Sequence, residues 1–372
     1  MNEFLPETHV SDFLEAYGWS DRWSALFNAL EGDDPARYPG RVVRADRGSV
    51  LAVTRRGIER AQLSANLRKR LSSSPDLPAT GDWLSLSRPS GHESALVDEV
   101  LPRASAFTRG DPGEGSAARV LAASVDVAFV VQPLDGDPNL RRIERQLALA
   151  WESGATPVVV LTKADLSADP ETARSAVERV ALGVDVVLTS AVSDGGAETV
   201  RAYVRTGTTV ALIGPSGAGK STLVNALLGE QRQATREIRL SDGKGRHTTV
   251  TRELILLPGG GVLMDMPGMR AMAVHDLASG LDSAFPDIVE FASACRFRDC
   301  THKEEPGCGV AAAVMAESLS AERLASYHKL QREAVVAAMK TDARLRAEEV
   351  RKWKIIHKSV RGHDKRTGFR GA

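Results

Sequence analysis

Cysteine is scarce in this sequence. Only three occur among the 372 residues, and all of them fall within one window of fourteen residues, as Cys295, Cys300 and Cys308. An odd number excludes a fully paired disulfide framework, and a tight cluster of thiols is more typical of a metal site. We therefore predict a bound metal ion near residue 300.

Long apolar runs and an excess of charge of one sign are also missing. No uninterrupted apolar run reaches the ~20 residues that a membrane-spanning helix needs. The first residues, MNEFLPETHV, lack the basic-then-apolar order of a secretory signal. Lys plus Arg and Asp plus Glu both total 48, so the net charge indicates no class of partner. We expect a cytoplasmic, monomeric protein with no membrane partner.

The chain is long enough for two or three domains. Its first 35 residues are typical of helices. Residues 40–100 consist of short, partly alternating segments separated by Gly, Pro, Asp and Ser, which predicts a small antiparallel β-barrel or sandwich. Basic residues are frequent in this block, either as a surface for a phosphate backbone or as a solvated strand face. The boundaries that we predict are 1–37, 38–108, 109–275 and 276–372.

Strands and helices alternate after residue 120. The apolar segments VDVAFVVQ, PVVVLTKADL, VDVVLTSA and TTVALIG are separated by helical segments such as NLRRIERQLALAWESG. This alternation predicts a parallel sheet covered by helices. RELILLP and GVLMDMPG add two more strands, and the chain beyond residue 320 is helical and ends in a basic tail.

The segment GPSGAGKST follows the strand TTVALIG and begins a helix, as a phosphate-binding loop requires. Its glycines let backbone N–H groups converge on phosphate oxygens, and the helix N-terminus adds its dipole. Lys220 is expected to reach the β- and γ-phosphates and Ser221 to ligate Mg²⁺. The predicted phosphate-binding residues are Gly214, Pro215, Ser216, Gly217, Ala218, Gly219, Lys220, Ser221 and Thr222.

A base-reading motif precedes that loop. The segment Thr162, Lys163, Ala164 and Asp165 ends the strand PVVVLTKADL and is similar to the guanine-specificity motif of GTPases, with Thr162 where most carry Asn. A carboxylate can accept hydrogen bonds from the N1–H and 2-amino groups of guanine, whereas adenine has no such donor pair. Thr189-Ser190-Ala191, at the end of the next strand, resembles the loop that buttresses the base, and we include Ser190 and Ala191 in the site.

Two further segments complete the predicted nucleotide site. Asp265 ends the strand GVLMDMPG and is expected to hold Mg²⁺ through water, and the amide of Gly268 is expected to sense the γ-phosphate. One of Thr248 and Thr249, in the polar segment GRHTT, completes the Mg²⁺ shell. Because GTPases generally have the phosphate loop before the base-reading motif, the reversed order here predicts a circularly permuted domain.

The cysteines share their window with one histidine, in CRFRDCTHKEEPGCGV. Three thiolates and one imidazole, from Cys295, Cys300, His302 and Cys308, form a tetrahedral ligand set for one Zn²⁺ with no open position, and hence a structural site. Reduced cysteines beside an incidental His, or an iron–sulfur centre, are the alternatives.

Together these motifs resemble the RsgA (YjeQ) family of circularly permuted GTPases that depend on the small ribosomal subunit. The resemblance extends over residues 40–340 and includes TKAD, GPSGAGKST, GRHTT, DMPGMR and the cysteine window. It implies an N-terminal OB-fold barrel that binds rRNA, a central α/β P-loop GTPase domain and a C-terminal zinc-binding helical domain. It also implies a late step in 30S maturation that is coupled to the release of assembly factors, with ribosomal proteins and GTP or GDP as partners.

One position departs from common GTPases. Met269 stands where Ras-type enzymes place a water-orienting Gln, and a thioether cannot orient water. Our hypothesis is that hydrolysis is slow until the subunit binds, and that His247 then positions or deprotonates the water. The alternative is a solvent-exposed histidine in a switch loop.

Two other functions fit parts of the sequence. An ordinary P-loop ATPase or small-molecule kinase would share the phosphate loop but would not need Asp165 to select guanine. An RNA-binding assembly scaffold would keep a structural nucleotide site without stimulated turnover.

Overall fold

The computed structural model describes residues 12–31, 34–46, 48–71, 77–109, 119–190, 196–229, 253–265, 278–303 and 305–341. The described part of the chain starts with two helices, α1 (Asp12–Ala16) and α2 (Asp21–Glu31), where the sequence predicts helices. Aromatic side chains pack this segment against the domain that follows. The rings of Trp19, between the helices, and Trp23, on α2, lie 4.9 Å and 5.7 Å from the Trp83 ring.

A closed five-stranded barrel follows the two helices, and its strand order is β1-β2-β3-β5-β4, the arrangement of an OB-fold. Its strands are β1 (Arg37–Asp46), β2 (Ser49–Thr54), β3 (Gly57–Leu63), β4 (Trp83–Ser87) and β5 (Ala95–Val100). They pair antiparallel as predicted except β3 and β5, which pair parallel because β4 and its connections separate them in the chain. The sequence predicts only strands here, but a helix, α3 (Ala65–Arg70), lies between β3 and β4. It forms because Ser64 caps its first turn and Leu67 is buried in the barrel.

A small two-stranded sheet leads from the barrel into the central domain. Strand β6 (Ala106–Arg109) pairs antiparallel with β7 (Arg119–Ala123). The central domain contains a six-stranded sheet of order β10-β9-β8-β11-β13-β12. Its strands are β8 (Val127–Pro133), β9 (Thr156–Thr162), β10 (Val186–Leu188), β11 (Thr209–Ile213), β12 (Glu253–Leu256) and β13 (Val262–Asp265).

Five of the six strands run parallel, as the alternating sequence predicts. Strand β12 is the exception, because only a tight turn separates it from β13 and the two therefore pair antiparallel. The parallel strands are apolar on both faces because helices cover the sheet on both sides. These helices are α4 (Leu140–Ser153), α5 (Pro170–Glu178), α6 (Glu198–Arg201) and α7 (Lys220–Leu228).

The order of strands in the sheet differs from their order in the chain. Strand β11, which continues into the predicted phosphate loop, lies at the centre between β8 and β13. Strands β8, β9 and β10 precede β11 in the chain and form one half of the sheet, whereas β12 and β13 follow it and form the other half. Cutting and rejoining the chain in this way leaves every strand pair intact, which is how a permuted domain keeps its fold.

A buried arginine joins the N-terminal helices, the barrel and the central domain. Arg41, on β1, is 2% exposed and donates hydrogen bonds to the carbonyls of Tyr17, Gly81 and Ser124. Its guanidinium also lies 5.1 Å from the Trp83 ring. Burial lowers the pKa of Arg41 to about 10, so the group stays charged at neutral pH. One side chain thus links the three segments.

Four helices make up the described part of the C-terminal region: α8 (Ala278–Ala284), α9 (Pro286–Ala292), α10 (Gly309–Met315) and α11 (Ala321–Thr341). Helix α8 packs closely on α4, because a Cβ on Gly280 would lie 2.2 Å from the Ala148 carbonyl oxygen. The Gly280 amide also donates to the Glu152 carboxylate at 2.9 Å. No helix in the described part of the chain is long and apolar enough to cross a lipid bilayer.

A second buried arginine fastens the last helix to the central domain. Arg323, on α11, is 6% exposed, and it donates to Glu144 Oε1 at 3.0 Å and to Asp287 Oδ1 at 2.8 Å. It also donates to the carbonyls of Val180 and Ala284. Because Glu144 belongs to α4 and Asp287 to α9, this one guanidinium connects three helices.

We expect Arg323→Met to destabilise the protein by about 3–5 kcal/mol at pH 8, because it leaves the carboxylate of Glu144 buried without its cation. Burial raises the pKa of Glu144, and removal of the cation raises it further. Between the ordinary pKa of a Glu and this raised pKa, Glu144 is protonated in the folded variant but ionised in the unfolded chain. The loss of unfolding free energy relative to the parent protein therefore becomes smaller as the pH falls towards 5. Urea unfolding of both proteins at pH 8 and pH 5.5 measures this difference.

Arg332→Met, on the exposed face of the same helix, is the control and should cost less than about 0.5 kcal/mol. Combining Arg323→Met with Glu144→Gln should recover part of the stability. A deficit for Arg323→Met that does not depend on pH would contradict the role given to Glu144.

Candidate nucleotide-binding and metal sites

The predicted phosphate loop connects β11 to α7 at the carboxyl edge of the sheet. A Cβ on Gly214 would lie 2.4 Å from the Val131 carbonyl oxygen, so only glycine lets the loop pass so close to β8. Gly217 and Gly219 have φ angles of 81° and 82°, in the left-handed region that other residues avoid. These three positions explain why the loop needs glycine.

Helix α7 begins directly after this loop, and the described structure shows no side-chain cap at its start. Its first N–H groups therefore remain available to an anion, and the helix dipole favours negative charge there. The Lys220 ammonium lies against the loop and donates to the carbonyls of Gly214 at 2.9 Å and Pro215 at 2.6 Å. This end of the sheet is thus a cationic, donor-rich cradle that fits phosphate.

The guanine-motif segment ends β9 and touches the phosphate loop. The hydroxyl of Thr162 is buried and donates to the Ala218 carbonyl at 2.7 Å, although 56 residues separate the two in the chain. Thr162 Oγ1 would also lie 3.4 Å from a Cβ on Gly219. The predicted base-reading and phosphate-binding segments are therefore in direct contact.

The residues after Thr162 turn sharply outwards from the sheet. Lys163 has a left-handed φ of 59°, and a one-turn 3₁₀ helix, Ala164–Leu166, carries an exposed Asp165. The Lys163 ammonium forms an ion pair with Asp135, which follows β8. This pair holds the stem of Lys163 beside the loop after β8, and leaves the Asp165 carboxylate facing solvent, where a ligand can reach it.

The loop after β10 supports this turn from the other side. The Ala164 amide donates to the Thr189 carbonyl at 3.2 Å, and the Thr189 amide donates to the Leu161 carbonyl at 2.8 Å. Ser190 follows directly. The described structure therefore brings Thr162, Lys163, Ala164, Asp165 and Ser190 to the same edge of the sheet as the phosphate loop.

The remaining predicted residues are described in part or not at all. Asp265 is the last residue of β13, whose neighbour is β11, so its backbone lies at the same sheet edge. The predicted residues that lie outside the described residues are Ala191, His247, Thr248, Thr249 and Gly268. Sequence reasoning missed Asp135, although a carboxylate directly after a buried strand, in PLDGDP, was a usable signal.

The four predicted metal ligands meet in one cluster. The ligand atoms of Cys295, Cys300, His302 and Cys308 all lie within 4.8 Å of one another. The Sγ atoms of Cys295 and Cys308 are 3.9 Å apart, and each lies 3.6 Å from His302 Nδ1. Tetrahedral Zn²⁺ with ordinary bond lengths requires about 3.8 Å between sulfurs and about 3.5 Å between sulfur and nitrogen. The cluster therefore fits zinc.

Backbone groups orient these ligands. Amides of Gly309 and Ala311 donate at 3.3 Å to the sulfurs of Cys295 and Cys308 respectively, which stabilises thiolates at the start of α10. Glu305 fixes the turn that carries His302. The Thr301 hydroxyl and the amides of Lys303 and Thr301 donate to this carboxylate and hold the pKa of Glu305 below its usual range.

We expect one zinc ion per purified chain, and Cys300→Ser should bind zinc at least ~10-fold more weakly, because it removes a thiolate from a closed four-ligand set. Zinc released to a colorimetric chelator measures this. His328→Asn is the matched control: His328 contacts the same turn through the Thr301 carbonyl at 3.0 Å but is not a ligand, so its zinc content should be unchanged. Equal zinc affinity of all three proteins, measured by competition with that chelator, would exclude this site.

Comparison with known proteins agrees with this geometry. The family model described as RsgA GTPase matches residues 100–275. The small ribosomal subunit biogenesis GTPase RsgA of Streptomyces coelicolor is 47% identical over 350 residues, which is 92% of each chain. The protein of the same name from Opitutus terrae is 41% identical and covers 95% of this chain and 99% of its own.

Solved structures show the same architecture. The crystal structure of YjeQ from Thermotoga maritima has a TM-score of 0.59 and 25% identity, and covers 80% of this chain and 99% of its own. YloQ, a circularly permuted GTPase, is similar in fold, with a TM-score of 0.59 and 21% identity over 82% of this chain and 97% of its own. Sequence similarity over almost the whole chain identifies this protein as a member of the RsgA GTPase family.

Proposed function

We propose that this chain hydrolyses GTP to GDP and phosphate during late maturation of the small ribosomal subunit, as a cytoplasmic monomer. The observation that carries the proposal is the contact between Thr162 and Ala218, because one nucleotide can then occupy the phosphate cradle and the guanine motif together. The names of the relatives, small ribosomal subunit biogenesis GTPases, support the ribosomal role.

Different residues bind the base and the phosphates of the nucleotide. Asp165 accepts hydrogen bonds from the N1–H and 2-amino groups of guanine, and the stem of Lys163 packs on the base. Ser190 and Ala191 support the base from the next loop. The amides of the phosphate loop and the Lys220 ammonium neutralise the β- and γ-phosphates, which is where negative charge is concentrated during phosphoryl transfer.

Mg²⁺ accompanies GTP in this chemistry and neutralises charge between the phosphates. Ser221, at the start of α7, offers a hydroxyl ligand, and Asp265 and one of Thr248 and Thr249 are the other residues that we assign to the ion. The amide of Gly268 is the proposed sensor of the γ-phosphate. We assign the orientation or deprotonation of the attacking water to His247.

The barrel and the basic C-terminal tail are the proposed rRNA contacts, on either side of the GTPase domain. OB-folds bind oligonucleotides, and basic side chains are frequent on this one. The structural Zn²⁺ stabilises the helical region between the switch segment and the tail. Nucleotide state would thereby control subunit binding and the release of assembly factors.

We expect Asp165→Asn to weaken GTP binding at least ~10-fold, because a carboxylate that accepts two hydrogen bonds from guanine becomes an amide that mismatches one of them. The same variant should gain affinity for xanthosine triphosphate. Titration with fluorescent analogues of GTP, XTP and ATP measures both changes.

Asp169→Asn is the matched control, because Asp169 is also exposed and Asn preserves its cap on α5. It should bind GTP normally. If Asp165→Asn kept the affinity of the parent protein for GTP and gained none for XTP, the guanine-reading role would be wrong.

We expect purified small subunits to stimulate GTP turnover at least ~10-fold, and His247→Ala to lose most of that stimulation while it retains GTP affinity, because general-base assistance contributes about 10²–10⁴-fold. Phosphate release with and without subunits measures this. Thr251→Ala, four residues along the same segment, is the control. Full stimulation of His247→Ala would remove His247 from the mechanism, and unstimulated turnover of the parent protein would contradict the ribosomal function.

A further inference from the structure

Helix α2, the segment before it and the barrel enclose a cleft that lies outside the nucleotide and metal sites. Its volume is about 460 Å³, within the range of ordinary small-ligand sites. One wall is formed by α2 and the segment before it, with Trp19 and Phe27, and the other by the start of β1 and the β2–β3 turn, with Tyr38, Arg55 and Arg56. The cleft therefore combines aromatic rings with guanidinium groups.

The aromatic side of this cleft is rigid. The Trp19 ring lies 4.9 Å from Trp83 in an edge-to-face arrangement, and the Trp83 side chain is only 1% exposed. Phe27 packs against Trp19 at 6.2 Å. Trp19 and Tyr38 themselves are half-buried, so each keeps part of its surface open to the cleft. A flat ligand would meet rings that already have a fixed orientation, which lowers the entropic cost of binding.

The charged side has arginines that are available to an anion. Arg55 is exposed and has no ion-pair partner among the residues that the structure describes. Arg56 is also exposed, and its guanidinium lies 5.0 Å from the centre of the Tyr38 ring. Arg37, at the edge of the cleft, is partly neutralised by Asp34 and Asp98. We therefore assign anion contacts to Arg55 and Arg56 and not to Arg37.

From this combination we infer that the cleft binds an unpaired nucleotide of single-stranded RNA, with its base on the open parts of the Trp19 and Tyr38 rings and its phosphates at Arg55 and Arg56. Bases of single-stranded RNA stack on aromatic side chains and on arginine planes, whereas bases in a duplex are not accessible in this way. An acidic peptide would satisfy the arginines but would leave the flat aromatic surface unused. This gives the N-terminal helices a role, since without α2 the cleft would have one wall.

The inference rests on the proposed rRNA-binding function, but its test uses the isolated protein and needs no ribosome. The probe is fluorescein-labelled octauridylate, compared with a ribose–phosphate octamer that has no bases, by fluorescence anisotropy at low salt. The parent protein should bind the octamer with bases at least ~5-fold more tightly, because base stacking contributes about 1–3 kcal/mol per base. Equal affinity for the two probes would overturn the inference.

Substitutions then locate the binding site. Arg55→Ala and Arg56→Ala should each weaken octauridylate binding at least ~3-fold and reduce the slope of log affinity against log salt by about 0.7 for each phosphate that is no longer neutralised. Arg68→Ala is the matched control, because Arg68 is an exposed arginine of the same barrel domain with no ion-pair partner among the described residues, and it lies on α3. Equal weakening by all three would indicate diffuse charge attraction and overturn the inference.

A separate substitution tests the stacking of the base on the aromatic side. Tyr38→Leu should reduce the preference for the octamer with bases over the octamer without them, with little effect on the salt slope. If Tyr38→Leu does not fold, Arg56→Ala is the second test of this preference, because it removes the guanidinium that contacts the Tyr38 ring at 5.0 Å. An unchanged octauridylate affinity in all the cleft variants, together with weaker association with small subunits, would indicate a protein partner and overturn the inference.

Subunit-stimulated GTP turnover is measured in parallel, so that failure of the proposed GTPase function is distinguished from failure of the proposed RNA binding in the cleft.

Discussion

The hydrogen bond from the Thr162 hydroxyl to the Ala218 carbonyl is the contact on which the nucleotide site depends. It ties the end of β9 to the phosphate loop at a point where both are buried, and it therefore fixes the distance between the base-reading turn and the phosphate cradle. Gly214 makes the contact possible, because a side chain there would push the loop away from β8, and Gly219 supplies the left-handed φ of 82° with which the loop enters α7. A buried hydroxyl between two loops also has no alternative partner in water, so the geometry is well determined.

The same part of the sheet is connected to the C-terminal helices through α4. The loop before α4 carries Asp135, which pairs with Lys163 of the guanine motif, and the buried face of α4 carries Glu144, which pairs with Arg323. The loop before α4 thus contacts the guanine-motif segment, and α4 itself packs against the C-terminal helices. Arg41 connects the barrel to the central domain in a similar way, through hydrogen bonds to the carbonyls of Gly81 and Ser124. Two buried cations therefore hold the three regions together.

Most of the fold and of the candidate sites was predicted from sequence motifs and patterns. Alternating apolar segments predicted the sheet, the short polar-punctuated segments predicted the barrel, and the resemblance to a known family named its OB-fold, which the strand order confirms. Helix α3 was missed because ANLRKR lies among strand-like segments, and only Ser64 as a cap distinguishes it. The assignments of His247 and of the Mg²⁺-binding threonines stay predictions, since those residues lie outside the described part of the chain.

The sequence by itself determined which chemical groups each candidate site offers, because a phosphate loop, a guanine motif and a Cys₃His ligand set depend on residue types at short spacings. Tertiary structure decided which distant segments lie together, because short spacings along the chain do not specify this. The pairing of β8 with both β9 and β11 brought two motifs, with 48 residues between Asp165 and Gly214, to the same edge of the sheet. The packing of α11 on α4 placed Arg323 beside Glu144. The cleft between α2 and the barrel also exists only in three dimensions, because its two walls come from segments that carry no recognisable motif.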